Sequence, residues 1–264
     1  KFLPPVLSKF ASWTILGELF FSLTAYLALA PVFFRLIFGG LDDFYFFGGR
    51  DYLWVLIFWV FSSFFIFLSA SLKGRVEIIG TLGIVFIIAA SFFVGRNMPF
   101  APEVFKLSRL SDFLTPFGPL LFAFAARPAI SEVLIIHKKA KDEGRSFSLK
   151  QAVFWGAAIP AAFYFIFVVA VLRLSPAASE DALTGIQSSI NFSPLLAIAL
   201  GVFGLLTLWT SYFILGGDAR GIIRDDMKKP RAAAAGAVVF LPALIYLFGF
   251  KDFLTAVSLV GGLF

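Results

Sequence analysis

The chain of 264 residues is 60% hydrophobic and only 14% charged, with a mean hydropathy of +0.93. Soluble domains are about a quarter charged and just under half apolar, so this composition excludes an ordinary soluble protein and predicts an integral membrane protein. The net charge of +6 does not indicate nucleic-acid binding, because the basic residues lie between apolar runs, where membrane topology accounts for them.

The chemically reactive residue types are scarce. The chain has no cysteine, which excludes disulfides, thiolate metal sites and cysteine nucleophiles, and its one histidine, His137, lies beside lysines at the end of an apolar run. No glycine-rich phosphate-binding pattern is present. We therefore expect no enzymatic activity, no metal and no cofactor.

Eight apolar segments approach the ~20 residues that a bilayer-spanning helix requires. They are residues 11–37, 52–72, 76–95, 113–136, 151–172, 194–215, 232–249 and a run from 253 that is too short to span. We expect a tight turn at Lys73, Gly74 and Arg75. Charged loops are predicted at 138–150 and 216–231, a short interfacial helix at 102–113 and a polar loop at 175–185.

Loop charges predict the orientation of these segments. Strict alternation places fourteen Lys and Arg residues on one side, with the N-terminus and the loops near 73–75, 138–150 and 216–231, and seven on the other. Cytoplasmic loops carry the excess of Lys and Arg. We therefore expect a multi-pass protein of the cytoplasmic (plasma) membrane, surrounded by lipid, with those loops facing the cytoplasm.

The segment 116–135 combines apolar residues with features that a simple spanning helix avoids. Arg127 and Glu132 are ionisable, and Pro128 lacks an N–H and disfavours helical backbone at the residue before it. Irregular backbone at membrane depth occurs where protein or a water-filled cavity satisfies it. The segment predicts either a helix broken at or just before Arg127 that lines a site, or a kinked structural helix whose Arg127 pairs with a carboxylate.

Several segments together resemble a transporter family. The run FGPLLFAFAARPAISEV, a basic segment and SLKQAVFWGAAIPAAFYFIFVVAV resemble the sixth and seventh spans of amino acid permeases of the amino acid–polyamine–organocation superfamily, closest to the aromatic and hydroxy amino-acid permeases. Upstream, GELFFSLTAYLALAPVFFRLIFGG is similar to the third span. Downstream, SEDALTG resembles the stretch after the seventh span, LLTLWTSYFILGGDARGIIRDD the eighth span and its loop, and FGFKDFLTAVSLVGG the join of the ninth and tenth.

The resemblance implies an all-α, polytopic transmembrane helical bundle with an inverted-repeat transporter fold and a broken sixth family span. Residues 1–264 would form one transporter domain, with 11–95 as the latter part of the first repeat and 113–264 as the second. The first two family spans would be missing, so we expect a fragment truncated at both ends.

The implied function is secondary active transport of amino acids, aromatic ones among the candidates, by alternating access coupled to a proton or sodium gradient. The alternative is a channel or a structural membrane subunit that transports nothing. The expected partners are an amino acid substrate and the lipid bilayer, with no nucleic acid; the oligomeric state stays open.

The predicted substrate-binding residues surround the break. Ala125 and Ala126 would let a substrate approach the backbone, and Phe122 and Phe124 would wall its side chain, although bulk packing is the ordinary role of a phenylalanine. Arg127 would hold the substrate carboxylate bidentately or pair internally. Two further residues, Ser22 and Tyr26, lie four residues apart on one face of the first span.

Ion coupling is predicted at two places. In sodium-coupled relatives a hydroxyl pair at the position of Thr210 and Ser211 binds the cation, and such oxygens suit a hard ion. The alternative is that both hydroxyls bond to their own helix. Glu18 and Glu132 are the candidates for proton binding.

Overall fold

The computed structural model describes residues 4–38, 50–67, 70–98, 100, 116–124, 127–145, 147–175 and 194–263. All regular structure in these ranges is helical. The helices are α1 (Pro5–Phe38), α2 (Arg50–Phe65), α3 (Ala70–Gly95), α4 (Phe117–Ala123), α5 (Arg127–Asp142), α6 (Leu149–Leu174), α7 (Pro194–Gly221), α8 (Arg231–Leu247) and α9 (Phe253–Leu263). A π-helical segment, Ile222–Asp226, continues α7.

Three of the described helical stretches are long and apolar enough to cross a membrane: Leu7–Phe38, Leu149–Leu174 and Ala197–Asp226. The all-α class is therefore confirmed, together with three helices that could span. The 16 residues of α2 rise only about 24 Å, short of the ~30 Å hydrocarbon core. The count of eight segments and the orientation stay predictions.

Two predicted helix ends are wrong. The turn expected at Lys73–Arg75 lies inside α3, and the described chain turns earlier, at Ile66 and Phe67. Lys and Arg are good helix formers, and one interior glycine costs only about 1 kcal/mol, so Gly74 does not end the helix. The charged loop predicted from 216 is helical to Gly221 and π-helical to Asp226.

Gly216 serves packing and not helix termination. A Cβ atom at Gly216 would lie 2.8 Å from Ile66 Cδ1, so the lack of a side chain at this position gives Ile66 room beside α7. The predicted loop 138–150 is likewise shortened, because α5 continues to Asp142. The interfacial helix at 102–113 and the loop at 176–185 lie outside the described residues.

Helix α1 is the centre of the bundle. Its Leu16, Leu19, Leu23 and Leu27 are at most 2% exposed, and it packs against α2, α7, α8 and α9. These contacts with four helices place the buried leucines of α1 in the interior of the bundle.

The most extensive helix pair, α1 with α7, depends on small residues. A Cβ atom at Gly204 of α7 would lie 2.0 Å from the ring of Phe33, and one at Gly201 would lie 2.9 Å from the Phe33 carbonyl oxygen. Small residues let helix backbones approach closely in membrane proteins, where van der Waals packing holds helices together. The glycines of α7 therefore determine how closely it approaches α1.

The helix contacts follow a repeated pattern. Helix α1 packs on α2, α8 and α9, while α7 packs on α8, α2 and α3. If α1 is exchanged with α7, α2 with α8 and α3 with α9, the same set of helix contacts is obtained. The α1–α7 contact then maps onto itself. The contacts of the intervening helices, among them α3 with α6 and α4 with α9, lie outside the exchange.

Polar side chains join the central helices to α8. The Thr24 hydroxyl lies 2.8 Å from the Phe20 carbonyl oxygen of its own helix and 3.2 Å from that of Pro242 in α8. The indole N–H of Trp59 in α2 donates to the Val239 carbonyl at 2.8 Å. Such bonds satisfy polar groups that would otherwise be buried without a partner.

Candidate functional site

The segment 116–135 forms two helices in the structure. Helix α4 ends at Ala123, and the N–H of Phe124 donates to the Leu120 carbonyl at 3.0 Å. Helix α5 begins at Arg127, followed by Pro128, and a proline is tolerated there because the first N–H groups of a helix have no intrahelical acceptor. The interruption thus lies where the sequence predicts it.

Tyr164 holds the end of α4 against α6. Its hydroxyl donates to the Ala123 carbonyl at 3.1 Å, and its ring meets Phe124 edge to face, with centroids 5.6 Å apart. The last carbonyls of a helix have no intrahelical donor, so a side-chain hydroxyl is a suitable partner for one of them. The predicted wall residue Phe124 is therefore positioned by an aromatic residue of another helix.

Tyr26 connects the same end of α4 to the centre of the bundle. Its ring meets Phe122 edge to face, with centroids 6.4 Å apart. Its hydroxyl lies within hydrogen-bonding reach of the Ser211 side chain on α7. The structure therefore brings together Tyr26, Phe122 and Ser211 from three helices, with Phe124 joined to them through Tyr164.

A cavity of about 520 Å³ lies between α1, α3, α6, α7 and α9. Phe33, Phe203 and Phe253 contribute aromatic walls, and Tyr164 and Thr207 are the polar side chains of its lining. Ligand cavities usually measure about 300–1,000 Å³ and are mostly apolar with a few polar groups. This cavity therefore suits a small molecule with an apolar or aromatic part, and Tyr164 belongs to both the cavity and the break.

Two predicted hydroxyl ligands donate to their own helices. The Ser22 hydroxyl, buried in α1, donates to the Glu18 carbonyl at 2.7 Å, and the Thr210 hydroxyl donates to the Thr207 carbonyl at 2.9 Å. For Thr210 this is the alternative stated above. A hydroxyl that donates still has lone pairs to offer a cation, so coordination by Thr210 and Ser211 stays a prediction.

Other predicted residues fall outside what the structure describes. Ala125 and Ala126 lie between the two described helices, and the side chains of Arg127 and Glu132 are also outside the described part. Their roles in binding substrate or protons stay predictions. Glu18 lies on α1, one turn before Ser22, and is partly buried.

Sequence reasoning missed Tyr164 and Thr207. A tyrosine in an apolar span is a signal in itself, because its hydroxyl needs a hydrogen-bond partner when it is removed from water. Thr207 is harder to recognise, since its hydroxyl donates to the Phe203 carbonyl at 2.8 Å, a bond within one turn that any membrane helix can provide. Its place in the cavity lining depends on neighbouring helices.

No group of three His, Asp or Glu side chains in the described ranges is arranged to hold a metal ion. Comparison with protein-family models, with curated proteins and with solved structures found no match to the chain. The resemblance to amino acid permeases therefore depends on the sequence segments quoted above.

Proposed function

We propose that this protein is a secondary active transporter of amino acids, with aromatic side chains favoured, that works by alternating access and is driven by a proton or sodium gradient. The observation that carries the proposal is the helix interrupted between Ala123 and Arg127, whose broken end is held by Tyr164 beside an apolar cavity. Transporters bind substrate at such interruptions, because the free backbone groups face the ligand.

The repeated contact pattern supports the proposal independently. In inverted-repeat transporters, equivalent helices of the two halves have equivalent neighbours and run in opposite directions through the membrane. The contacts that α1, α2 and α3 make with α7, α8 and α9, and those within each set, follow this equivalence. By the predicted alternation, α1 is the first segment and α7 the sixth, so the two would run in opposite directions.

The cavity lining favours a carrier over a channel. An ion pathway is lined by carbonyl oxygens, charged side chains or water, whereas this cavity is walled mainly by phenylalanine, leucine and isoleucine. A structural subunit would need neither a cavity nor an interrupted helix. The aromatic walls favour substrates with aromatic side chains, which pack edge to face against such rings.

Reconstituted protein tests the function directly. Counterflow of labelled phenylalanine into liposomes preloaded with unlabelled phenylalanine would support a carrier, whereas ion current without counterflow would support a channel. Ile84→Trp should reduce counterflow severalfold, because Ile84 lines the cavity. Ile78→Trp on the same helix is the matched control, since Ile78 is 62% exposed, and it should leave counterflow unchanged.

Arg127 is proposed to hold the substrate carboxylate. A guanidinium keeps its charge at any physiological pH and binds a carboxylate through two parallel hydrogen bonds, which lysine cannot reproduce. Arg127→Lys should therefore weaken substrate binding in a protein that still inserts, and Arg127→Ala should abolish it for substrates with a free carboxylate. Unchanged affinity in Arg127→Ala would assign Arg127 a structural role instead.

A further inference from the structure

A second cleft, of about 200 Å³, lies apart from the apolar cavity and has a polar lining. We call it the Arg35 cleft; it is lined by Ala28, Pro31, Arg35, Asp51, Tyr52, Tyr246 and Lys251. Its residues come from α1, α2, α8 and the connection between α8 and α9. It shares no lining residue with the apolar cavity, so the two can be tested separately.

Backbone geometry places Lys251 in this cleft. Helix α8 ends at Leu247 and is capped by Phe248, and Gly249 has a φ of +117°, a conformation that residues with a side chain rarely adopt. The Phe250 N–H returns to the Ile245 carbonyl at 3.4 Å, so the chain reverses immediately after the helix. Lys251 Nζ then contacts the Tyr52 hydroxyl and lies 5.0 Å from the centre of the Tyr52 ring.

The cleft contains more positive than negative charge. The Arg35 guanidinium pairs with the Asp51 carboxylate, while the contacts of Lys251 are to a tyrosine, which carries no charge to neutralise it. The carboxylate of Asp252, the next residue in the chain, is engaged elsewhere, because it accepts the Thr255 N–H at 2.7 Å at the start of α9. The described lining therefore has a net charge of +1.

The lining also has an excess of hydrogen-bond donors. A guanidinium has five N–H groups and an ammonium three, and neither can accept a hydrogen bond. The side-chain acceptors are the Asp51 carboxylate and the two tyrosine hydroxyls, which are donors as well. The volume is below the ~300–1,000 Å³ of cavities for drug-sized ligands, so the cleft fits a small group.

We propose that the Arg35 cleft binds one small anion, with a free carboxylate as the fitting chemical group. The carboxylate oxygens accept from Lys251 and from the N–H groups of Arg35 that do not face Asp51. This site is separate from the proposed substrate cavity, and its existence does not depend on transport.

The test follows the reactivity of Lys251 in the full chain in phosphatidylcholine nanodiscs. The rate at which an N-hydroxysuccinimide ester acylates Lys251 is measured by peptide mass spectrometry, with acetate replacing a bulky organic sulfonate at constant ionic strength. Acetate should slow acylation of Lys251 severalfold and leave the exposed Lys228 unaffected. An equal effect on both lysines, or none on Lys251, would overturn the proposal.

Two variants of the ion pair have opposite expected effects. Arg35→Gln removes one cation and should weaken the acetate protection of Lys251, whereas Asp51→Asn raises the net charge to +2 and should strengthen it. Both side chains are about half exposed, at 44% and 53%, so each change should be roughly two- to fivefold. A purely structural ion pair would instead make both variants change in the same direction.

Arg224→Gln and Asp225→Asn are the matched controls, because they remove an exposed ion pair elsewhere and should leave acetate protection unchanged. The connection 39–49 contains two carboxylates, Asp42 and Asp43, and removing both charges tests whether they neutralise Lys251. If protection by acetate arises only in the Asp42→Asn, Asp43→Asn double variant, the cleft is neutralised internally and the proposal is wrong.

A lipid phosphate presents the same anionic chemistry from another source. Nanodiscs containing phosphatidylglycerol distinguish the two sources. If this lipid slows the acylation of Lys251 and acetate has no effect, the ligand of the cleft is a lipid headgroup and not a free anion, and the proposal is overturned. Counterflow is measured on the same preparations. If counterflow is intact but acetate does not protect Lys251, only the cleft proposal is refuted. If acetate protects Lys251 but counterflow is absent, only the proposed transport function is refuted.

Discussion

Two neighbouring glycines in α9 should respond in opposite ways to substitution by alanine. A Cβ atom at Gly261 would lie 1.9 Å from the carbonyl oxygen and 2.8 Å from the carbonyl carbon of Gly118 in α4. These are backbone atoms, so no side-chain rotation relieves the clash and the two helices must separate. Restoring a normal carbon–oxygen distance of about 3.5 Å requires a shift of roughly 1.5 Å.

The magnitude follows from overpacking, which typically costs about 1–3 kcal/mol. A Cβ atom at Gly262 meets nothing within 4 Å, so Gly262→Ala should gain up to about 1 kcal/mol from the better helix propensity of alanine. The two variants should therefore differ by about 1–4 kcal/mol in the free energy of unfolding. Gly261→Ala should also reduce counterflow, because α4 leads to Ala123 and the break.

Denaturant unfolding in detergent micelles, followed by tryptophan fluorescence, measures both variants against the parent chain. Thermal unfolding in nanodiscs provides a second measurement of which variant is more stable. If Gly261→Ala is as stable as Gly262→Ala, then α4 and α9 do not pack backbone against backbone, and the placement of the break relative to α9 has to be abandoned.

Three further predictions concern single hydrogen bonds and the cation site. Tyr164→Phe keeps the ring but removes the bond to the Ala123 carbonyl, so substrate affinity in counterflow should fall about two- to tenfold, and an unchanged value would show that this bond does not position the break. Trp59→Phe should lower the free energy of unfolding by about 1 kcal/mol or more through loss of its bond to α8, whereas Trp155→Phe, at a position 57% exposed, should have little effect. Thr210→Ala should reduce the dependence of uptake on sodium; uptake in the parent chain that ignores sodium and follows a proton gradient would instead make Thr210 structural.

The interruption before Arg127 could be predicted because its causes are local. Pro128 lacks an N–H and restricts the residue before it, whatever the rest of the chain does. Local causes explain why the class and the interruption could be predicted from the sequence.

The features that sequence reasoning missed depend on distant residues. Gly216 looks like a helix end, yet its role is set by Ile66, which is far away in the chain and close in space. Tyr164 donates to a carbonyl 41 residues earlier, and Thr24 reaches a carbonyl 218 residues later. Neither pairing follows from periodicity, because the partner is a backbone oxygen, which every residue has.

The seven residues of α4 are too few to form a stable helix alone, so neighbouring helices must hold it. Its start is fixed by the contact of Gly118 with α9, its side by Phe122 against Tyr26 of α1, and its end by Tyr164 of α6. Helices α1, α6 and α9 are also walls of the apolar cavity. A molecule that enters the cavity would therefore touch the helices that hold α4. Under the proposed transport function, a change in the spacing of these helices would move the interrupted backbone, which is the coupling that alternating access requires.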